Sequence, residues 1–576
     1  MTPIGIKFQT HARNEFHKRI PDGAALNLIW ENRYGATSVM QALTKISALL
    51  ASVLVAAAAV ADPQYQIYDI GVVQTGDTAS QGFGVSTGGI AVGRSFRTGG
   101  SQAFIWTLGG GIVGLPNLSG RSFCVSNSAN DSGIVVGTGA TTSFGSGRLP
   151  VVWQNGVVSQ LPLPTGQTLG DANHVNTSGV AVGSANSGSL QRGVIYSGGS
   201  ASIITQTTSN GSYFLTAFGI NDSGRVVGQG IDPNNAAVNV GIVYDIGASM
   251  AFSVGALPGF NGALAFGVSN TGYVVGSSML NQGSGLPFIW SDAGGIVAIP
   301  LASGTSQGSA RAVNSAGWVV GNDSSAFSIP FLYDGTTTYR LADIIPVGSG
   351  WDLSMNTSSS ALGIGDNGVI VGTGVYNGAT HAYAMVPALQ LGSAVSRKTH
   401  GGAGTFDIPL PLSGNPGVEC RTGGATDDYT LVFTFTNNVT SGNATVTGGI
   451  GSVFGPPIFS GNTMTVNLTG VANAQTLTVT LSGVTDEFSQ VLPDTPVSVN
   501  MLIGDTSGNG VVNATDIAQT KAQVGQPVTS SNFRTDVNAN GIINTSDVAI
   551  VKAHSGGSIS APRTRARSNS ATATGH

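Results

Sequence analysis

Two stretches near the C-terminus set oxygen-bearing side chains at one repeated spacing. Residues 505–516 read Asp-Thr-Ser-Gly-Asn-Gly-Val-Val-Asn-Ala-Thr-Asp, and residues 536–547 read Asp-Val-Asn-Ala-Asn-Gly-Ile-Ile-Asn-Thr-Ser-Asp. Each is a twelve-residue loop with an oxygen side chain at loop positions 1, 3, 5, 9 and 12. Calcium is a hard cation that takes about six to eight oxygens, and this spacing wraps them around one ion. The first set is Asp505, Ser507, Asn509, the Val511 carbonyl and Asp516, with Asn513 acting through a water. The second is Asp536, Asn538, Asn540, the Ile542 carbonyl and Asp547, with Asn544 at position 9. Gly510 and Gly541 sit where each loop turns sharply, and the expectation is two calcium ions. Each loop has two formal charges and ends in Asp rather than Glu. Affinities of ~10⁻⁴–10⁻³ M, or somewhat tighter, are therefore expected. A helix is expected after each loop, over 517–524 and 548–554, without the entering helices of a full EF-hand.

The pair of loops, over residues 504–557, resembles a type I dockerin. The resemblance implies partner-reading residues at loop positions 10 and 11, here Ala514 and Thr515, then Thr545 and Ser546. It implies a later basic residue in each half, matched by Lys521 and Lys552. It further implies calcium and a cohesin-like protein or cell-surface scaffold as partner. Family members often carry Ser-Thr in the pair and a more acidic loop, and Ala514 and the Asn-rich ligands depart from that pattern.

The body that such a module would carry is a repeat. One pattern, Gly, any residue, Val/Ala/Ile, Val, Gly, occurs seven times and ends at Gly93, Gly137, Gly183, Gly228, Gly276, Gly321 and Gly372, 44 to 51 residues apart. A polar lead-in such as Ile220-Asn-Asp-Ser-Gly224 precedes it. That lead-in reads as a strand end and a tight hairpin turn, with the first glycine at φ > 0. A Val-rich strand follows. The next strand ends in Trp106, Trp153, Tyr196, Tyr244, Trp290 or Tyr333, and in Met385 in the last copy. A short fourth strand closes every copy but the last. Four antiparallel strands in about 45 residues predict a propeller blade. Residues 65–70 stand alone and match the missing fourth strand, so a closed seven-bladed β-propeller is expected over 62–388. An open β-solenoid is the alternative.

The Asn-x-x-Gly-x-Val-Val-Gly element, followed by Gln102-Ala-Phe-Ile-Trp106 or His381-Ala-Tyr-Ala-Met385, resembles the HAF-type extracellular repeat of secreted bacterial proteins. That resemblance implies secretion and a propeller-like fold, and adds no active site. A catalytic residue is not identifiable from the repeat. Asp222 and Asp366 read as turn caps, and His174 and His381 as structural histidines. There is no sialidase-type Asp box, no H-E-x-x-H and no G-x-S-x-G at a strand–helix turn. The aromatic residues ending the third strands read as repeat packing, with stacking on sugar rings as the alternative.

Between repeat and loops, 389–404 reads as a Gly-rich linker and 405–503 as an immunoglobulin-like β-sandwich, a spacer or a carbohydrate-binding element. At the other end, Lys45, an apolar run and Ala59-Val60-Ala61 read as a signal peptide over 40–61, cleaved after Ala61. The run is short for a membrane span. Residues 1–39 are expected to be an upstream extension before the true initiator Met40, and 558–576 a disordered tail. Cys124 and Cys420 read as two buried thiols. The chain has 85 Gly, 41% apolar and 9% charged residues and a net charge of −5, which excludes a simple disordered chain and leaves no basic stripe for nucleic acid outside the extreme C-terminus. The fold class is therefore mainly β with a small α module at the end. The functional expectation is an extracellular, non-catalytic binding or structural protein with a calcium-dependent attachment module and no transmembrane anchor in the mature chain. The alternative is a polysaccharide-degrading hydrolase, or a carbohydrate-binding component, docked through that module.

Overall fold

The computed structural model describes residues 64–559, apart from 144, 189, 282, 284, 303, 304, 325–327 and 355–357. The signal-peptide, upstream-extension and tail expectations fall outside these residues.

From Tyr65 to Pro387 the chain repeats one antiparallel meander. Leu169–Val175, Ala181–Ser187, Leu190–Ser197 and Ser200–Ile203 pair in that order, and each copy of the glycine motif lies on the second strand of its own meander. That strand is covered on both faces, which is why it is Val-rich: Val135–Ala140 is buried at every position. The two motif glycines do different work. The first sits in the left-handed region, as at Gly133 (φ 78°) and Gly224 (φ 82°), and closes the hairpin. The second faces a β-bulge on the first strand, where register shifts between Ala265 and Gly267 or between Ala172 and His174. The bulge pushes a carbonyl across the sheet. A Cβ on Gly276 would lie 1.8 Å from the Leu264 oxygen, and one on Gly183 1.9 Å from that of Asp171.

Adjacent meanders share their apolar cores. Val92 and Ala103 of the first pack with Val135, Val151 and Trp153 of the next. Ala91, Phe104 and Trp106 pack with Val371, Ala384 and Val386 of the last, so the array closes into a propeller-like ring. Tyr65–Asp69 completes the last sheet. It pairs antiparallel with Ala379–Pro387, Tyr65 opposite Pro387, and Ile370–Tyr376 lies on the other side of Ala379–Pro387.

The turns are tied to one another by the motif asparagine. Asn221 accepts from its own Arg225 N–H (2.8 Å) and donates Nδ2 to the Ser269 carbonyl of the next meander (2.9 Å). Asn176 does the same, taking Val180 N–H (2.9 Å) and donating to Asn221 O (3.2 Å). Asp222 and Asp366 do cap turns, but in the preceding meander: they accept from Thr177 N–H (2.9 Å) and Ser315 N–H (2.7 Å).

Two sheets follow. One runs Thr405–Pro409, Leu391–Thr399, Tyr429–Phe435 and Thr463–Thr469, with Ser452–Val453 and Ile458–Ser460 both on the last. The other runs Gly417–Glu419, Thr495–Met501, Gln475–Asp486 and Val439–Gly448. Their shared core includes Phe433, Met464, Val466, Leu477, Val479 and Leu481. The expected linker over 389–404 is corrected here. Leu391–Thr399 is a sheet strand, and the glycines after it form a hairpin turn closed by His400 N–H to Gly404 O at 2.8 Å. Gly-rich composition marked a turn rather than a flexible connection. Among the described residues no helix is long and apolar enough to cross a membrane.

Candidate metal centres and the ring cavity

The two C-terminal loops each lead into a helix, Ala514–Gln523 and Thr545–Ala553. Both start three residues earlier than expected. Asn513 and Asn544 act as N-caps, accepting from Thr515 N–H and Ser546 N–H at 2.7 Å each, and Asp516 and Asp547 close a capping box. Position 9 thus fixes the helix start, whatever it contributes through water.

Position 1 organises each loop. Asp505 Oδ1 accepts from Gly508 N–H (2.8 Å), Asn509 N–H (3.1 Å) and Ser507 Oγ (3.2 Å), and Oδ2 from Gly510 N–H (2.7 Å). Asp536 repeats the pattern with Asn540 N–H (3.2 Å) on Oδ1 and Gly541 N–H (2.8 Å) on Oδ2. Asn509 Oδ1 and Asn540 Oδ1 each accept from the residue two positions on, at 2.9 Å. Asp516 reaches back to Ser507 N–H (2.9 Å), and Asp547 to Asn538 N–H (3.2 Å). Gly510 (φ 86°) and Gly541 (φ 89°) supply the sharp turn.

These residues fit a cation. Asp505, Asp516, Asp536 and Asp547 are all 0% exposed, two like charges to a loop. Among the described residues no Lys or Arg forms an ion pair with any of the four. Burial, with Asp536 adding to it, pushes the Asp547 carboxyl above its ordinary value despite the backbone N–H groups on it. Buried carboxylates without a counter-charge are costly, and a bound divalent ion removes that cost. Side chains of His, Cys, Asp and Glu do not gather in threes among the described residues, so the neutral oxygens of Ser507, Asn509, Asn538 and Asn540 must complete each set. Ala514, Thr515, Lys521, Thr545, Ser546 and Lys552 are all exposed, on or beside the two helices.

The ring offers a second concavity. A cavity of about 470 Å³ opens at one mouth, lined among others by Arg94, Asn127, Asp171, Asn173, Gln191 and Gln229. Its charges are largely internal: Arg148 pairs with Asp171 at 3.1 Å, and Arg94 is held by Gln81 (2.8 Å). His174 lines a separate recess formed by turn residues such as Asn130, Asn176 and Asn221, where burial pushes its pKa down to about 4 and its Nδ1 has no hydrogen-bond partner among the described residues. His381 pairs with Asp69 at 2.9 Å on the closing strand. Trp153 donates Nε1 to Pro116 O (2.7 Å) and Tyr196 its hydroxyl to Asp171 O (3.1 Å), so these strand-ending aromatics pack within the repeat. Cys124 and Cys420 are free and buried, and burial pushes the Cys420 thiol up to about 11.

No curated protein matches the chain. Among solved structures, the chain is similar to YCF48 bound to D1 peptide, at 13% identity over 56% of this chain and 97% of that one, with a TM-score of 0.34. It is similar to an oligogalacturonate lyase from Vibrio parahaemolyticus at 10% identity, covering 57% and 94%, with a TM-score of 0.35. It is also similar to a Trypanosoma rangeli sialidase at 10% identity, covering 73% and 88%, with a TM-score of 0.26. Residues 503–554, the two loops and two helices built above, match the dockerin type I domain, a calcium-binding module that binds cohesins.

Proposed function

We propose that the chain is an extracellular attachment protein, in which a two-calcium dockerin module holds a seven-bladed propeller and an immunoglobulin-like spacer on a cohesin-bearing scaffold. The supporting observation is the pair of equally spaced loops, each with two buried carboxylates that no Lys or Arg among the described residues neutralises, inside the segment that matches the dockerin type I domain. Asp505, Ser507, Asn509, Val511, Asn513 and Asp516 hold one ion, and Asp536, Asn538, Asn540, Ile542, Asn544 and Asp547 the other. Ala514, Thr515 and Lys521, or Thr545, Ser546 and Lys552, face the partner, since they are exposed on or beside the two helices whose starts the loops fix. The propeller is the cargo. Its function is binding rather than catalysis, and the cavity at its mouth takes the ligand.

Calorimetry of the purified chain against a panel of type I cohesins tests this. Calcium-dependent binding, weakened at least about tenfold by a charge-reversing Lys521→Glu together with Lys552→Glu, is expected, since loss of 1.4 kcal/mol suffices. Binding that persists in EDTA, or none across the panel, would overturn the attachment reading. Reproducible release of reducing sugar from a polysaccharide panel would replace binding with hydrolysis as the work of the propeller.

A further inference from the structure

The second loop is not held by its own module alone. Its position-1 carboxylate, Asp536, meets Nδ1 of His400 through Oδ2 at 2.9 Å, and both side chains are fully buried. His400 belongs to the sandwich, in the turn between strands Leu391–Thr399 and Thr405–Pro409. Behind it, Nη1 of Arg421 lies 3.2 Å from His400 Nε2. A guanidinium can only donate, so Nε2 is the acceptor and the ring proton sits on Nδ1, aimed at Asp536. Arg421 is itself fixed. Glu419 accepts from its Nε (2.8 Å) and Nη2 (2.6 Å), and the carbonyls of Phe406 and Ser396 accept at 2.9 Å each. From the other side, Phe533 of the C-terminal module stacks on Phe406 with ring centroids 5.2 Å apart and meets His400 edge-on at 6.0 Å.

The first loop lacks this support. Asp505 Oδ2 accepts from Gly510 N–H, as Asp536 Oδ2 does from Gly541 N–H, but among the described residues no side chain of the sandwich donates to it. A neutral N–H donor orients a carboxylate and leaves its charge for a cation. Such outer-shell partners are worth about 10- to 100-fold in metal affinity.

We propose that His400 is a positioning residue for the second calcium site, so that this site is complete only while the sandwich hairpin is docked on it. The line Glu419–Arg421–His400–Asp536 makes calcium binding and the docking of the two modules one event, and it makes the two calcium sites unequal. This rests on the reading of the loops as calcium sites.

Calcium titration of the full chain, by calorimetry and by terbium luminescence, tests it. Unaltered protein should bind two ions. His400→Leu should weaken one site by about 10- to 100-fold and leave the other within about twofold, and His400→Asn, whose amide places a donor near the Nδ1 position, should restore it. Asp547→Asn identifies the affected site as that of the second loop. His400→Leu with both affinities unchanged would overturn the proposal. If His400→Leu loses both sites by misfolding, hydrogen exchange on the unaltered chain decides: calcium should slow the amides of Arg397, Lys398 and Asp407, and exchange indifferent to calcium would overturn it. Unaltered protein that binds no calcium would instead overturn the calcium reading itself.

Discussion

Individual residues in the repeat answer to different physical demands even when they look alike. Gly133 and Gly276 come from the same motif, yet one meets open space at φ 78° and the other faces a carbonyl at 1.8 Å from a built Cβ. Gly133→Ala should therefore cost only the left-handed penalty, about 1–2 kcal/mol. Gly276→Ala must move a strand and should cost about 3 kcal/mol or more. Urea unfolding of the two variants checks the order, and equal costs would refute the assignment of roles. His174 makes a pH prediction. Burial holds it near pKa 4 in the folded chain against an ordinary 6.5, so the folded chain binds fewer protons than the unfolded one between those values. Its contribution is fully present above pH 6.5 and is lost as pH falls toward about 4, at no more than about 1.4 kcal/mol per pH unit. The stability difference between His174→Gln and the parent should shift in favour of the variant over that window, measured by denaturant unfolding at several pH values. A difference flat with pH would contradict it.

At the level of elements, the seven glycine motifs and their aromatic strand ends were readable because a repeat imposes the same constraint many times. The β-bulges opposite the second glycines were not readable, since a bulge changes register without changing composition. Residues such as Ala172 and Gly267 carry no mark of it. The strand Leu391–Thr399 was hidden for a related reason: Ser396, Arg397 and Lys398 are polar, but Ser396 is buried against Glu419 (2.5 Å) while Arg397 lies on the exposed face and pairs with Asp407 (2.7 Å), so the polar run reads like a loop although one of its residues is core. The two C-terminal loops were legible from their repeated twelve-residue spacing, while the cap role of Asn513 and Asn544 overlapped with that spacing and could not be read separately. His400 gave no signal, because its partner lies 136 residues away. The closing strand yields an element-scale prediction. Tyr65 and Ile70 are 2% and 3% exposed, so deleting residues 62–71 should cost roughly 3–6 kcal/mol from those two side chains alone. A synthetic peptide of residues 64–71 added in trans should recover part of the melting temperature, and a deletion variant with unchanged melting would show that the strand does not close the ring.

At the largest scale, among the described residues, the ring, the sandwich and the C-terminal module are joined by specific bonds. The carbonyl of Pro387, where the ring ends, accepts from Asn437 Nδ2 and Gln490 Nε2 at 2.8 Å each, and Phe488 of the sandwich packs against the core around Ile70. At the other end Arg534 donates to the carbonyls of Thr506 (2.9 Å), Asp505 (3.1 Å) and Val418 (3.1 Å), and Val418 shares a core with Leu502, Val512, Val537 and Val551. Removing calcium should therefore destabilise more than the loops. In differential scanning calorimetry EDTA should lower the transition that contains both the sandwich and the C-terminal module, since saturation at about 100 times Kd adds about 2.7 kcal/mol per site to the native state. A shift confined to a separate small transition would mean that the modules unfold independently.

The placement of Tyr65–Asp69 outside Ala379–Pro387 also decides how the ring would bear tension. A pull applied through the C-terminal module reaches the ring at Pro387, the last residue of a strand hydrogen-bonded on both sides. Were that strand the sheet's edge, force would peel it away one pair of bonds at a time. With Tyr65–Asp69 paired along its outer edge, the load is shared between two ladders at once, and the ring is fastened at the point where such a pull arrives.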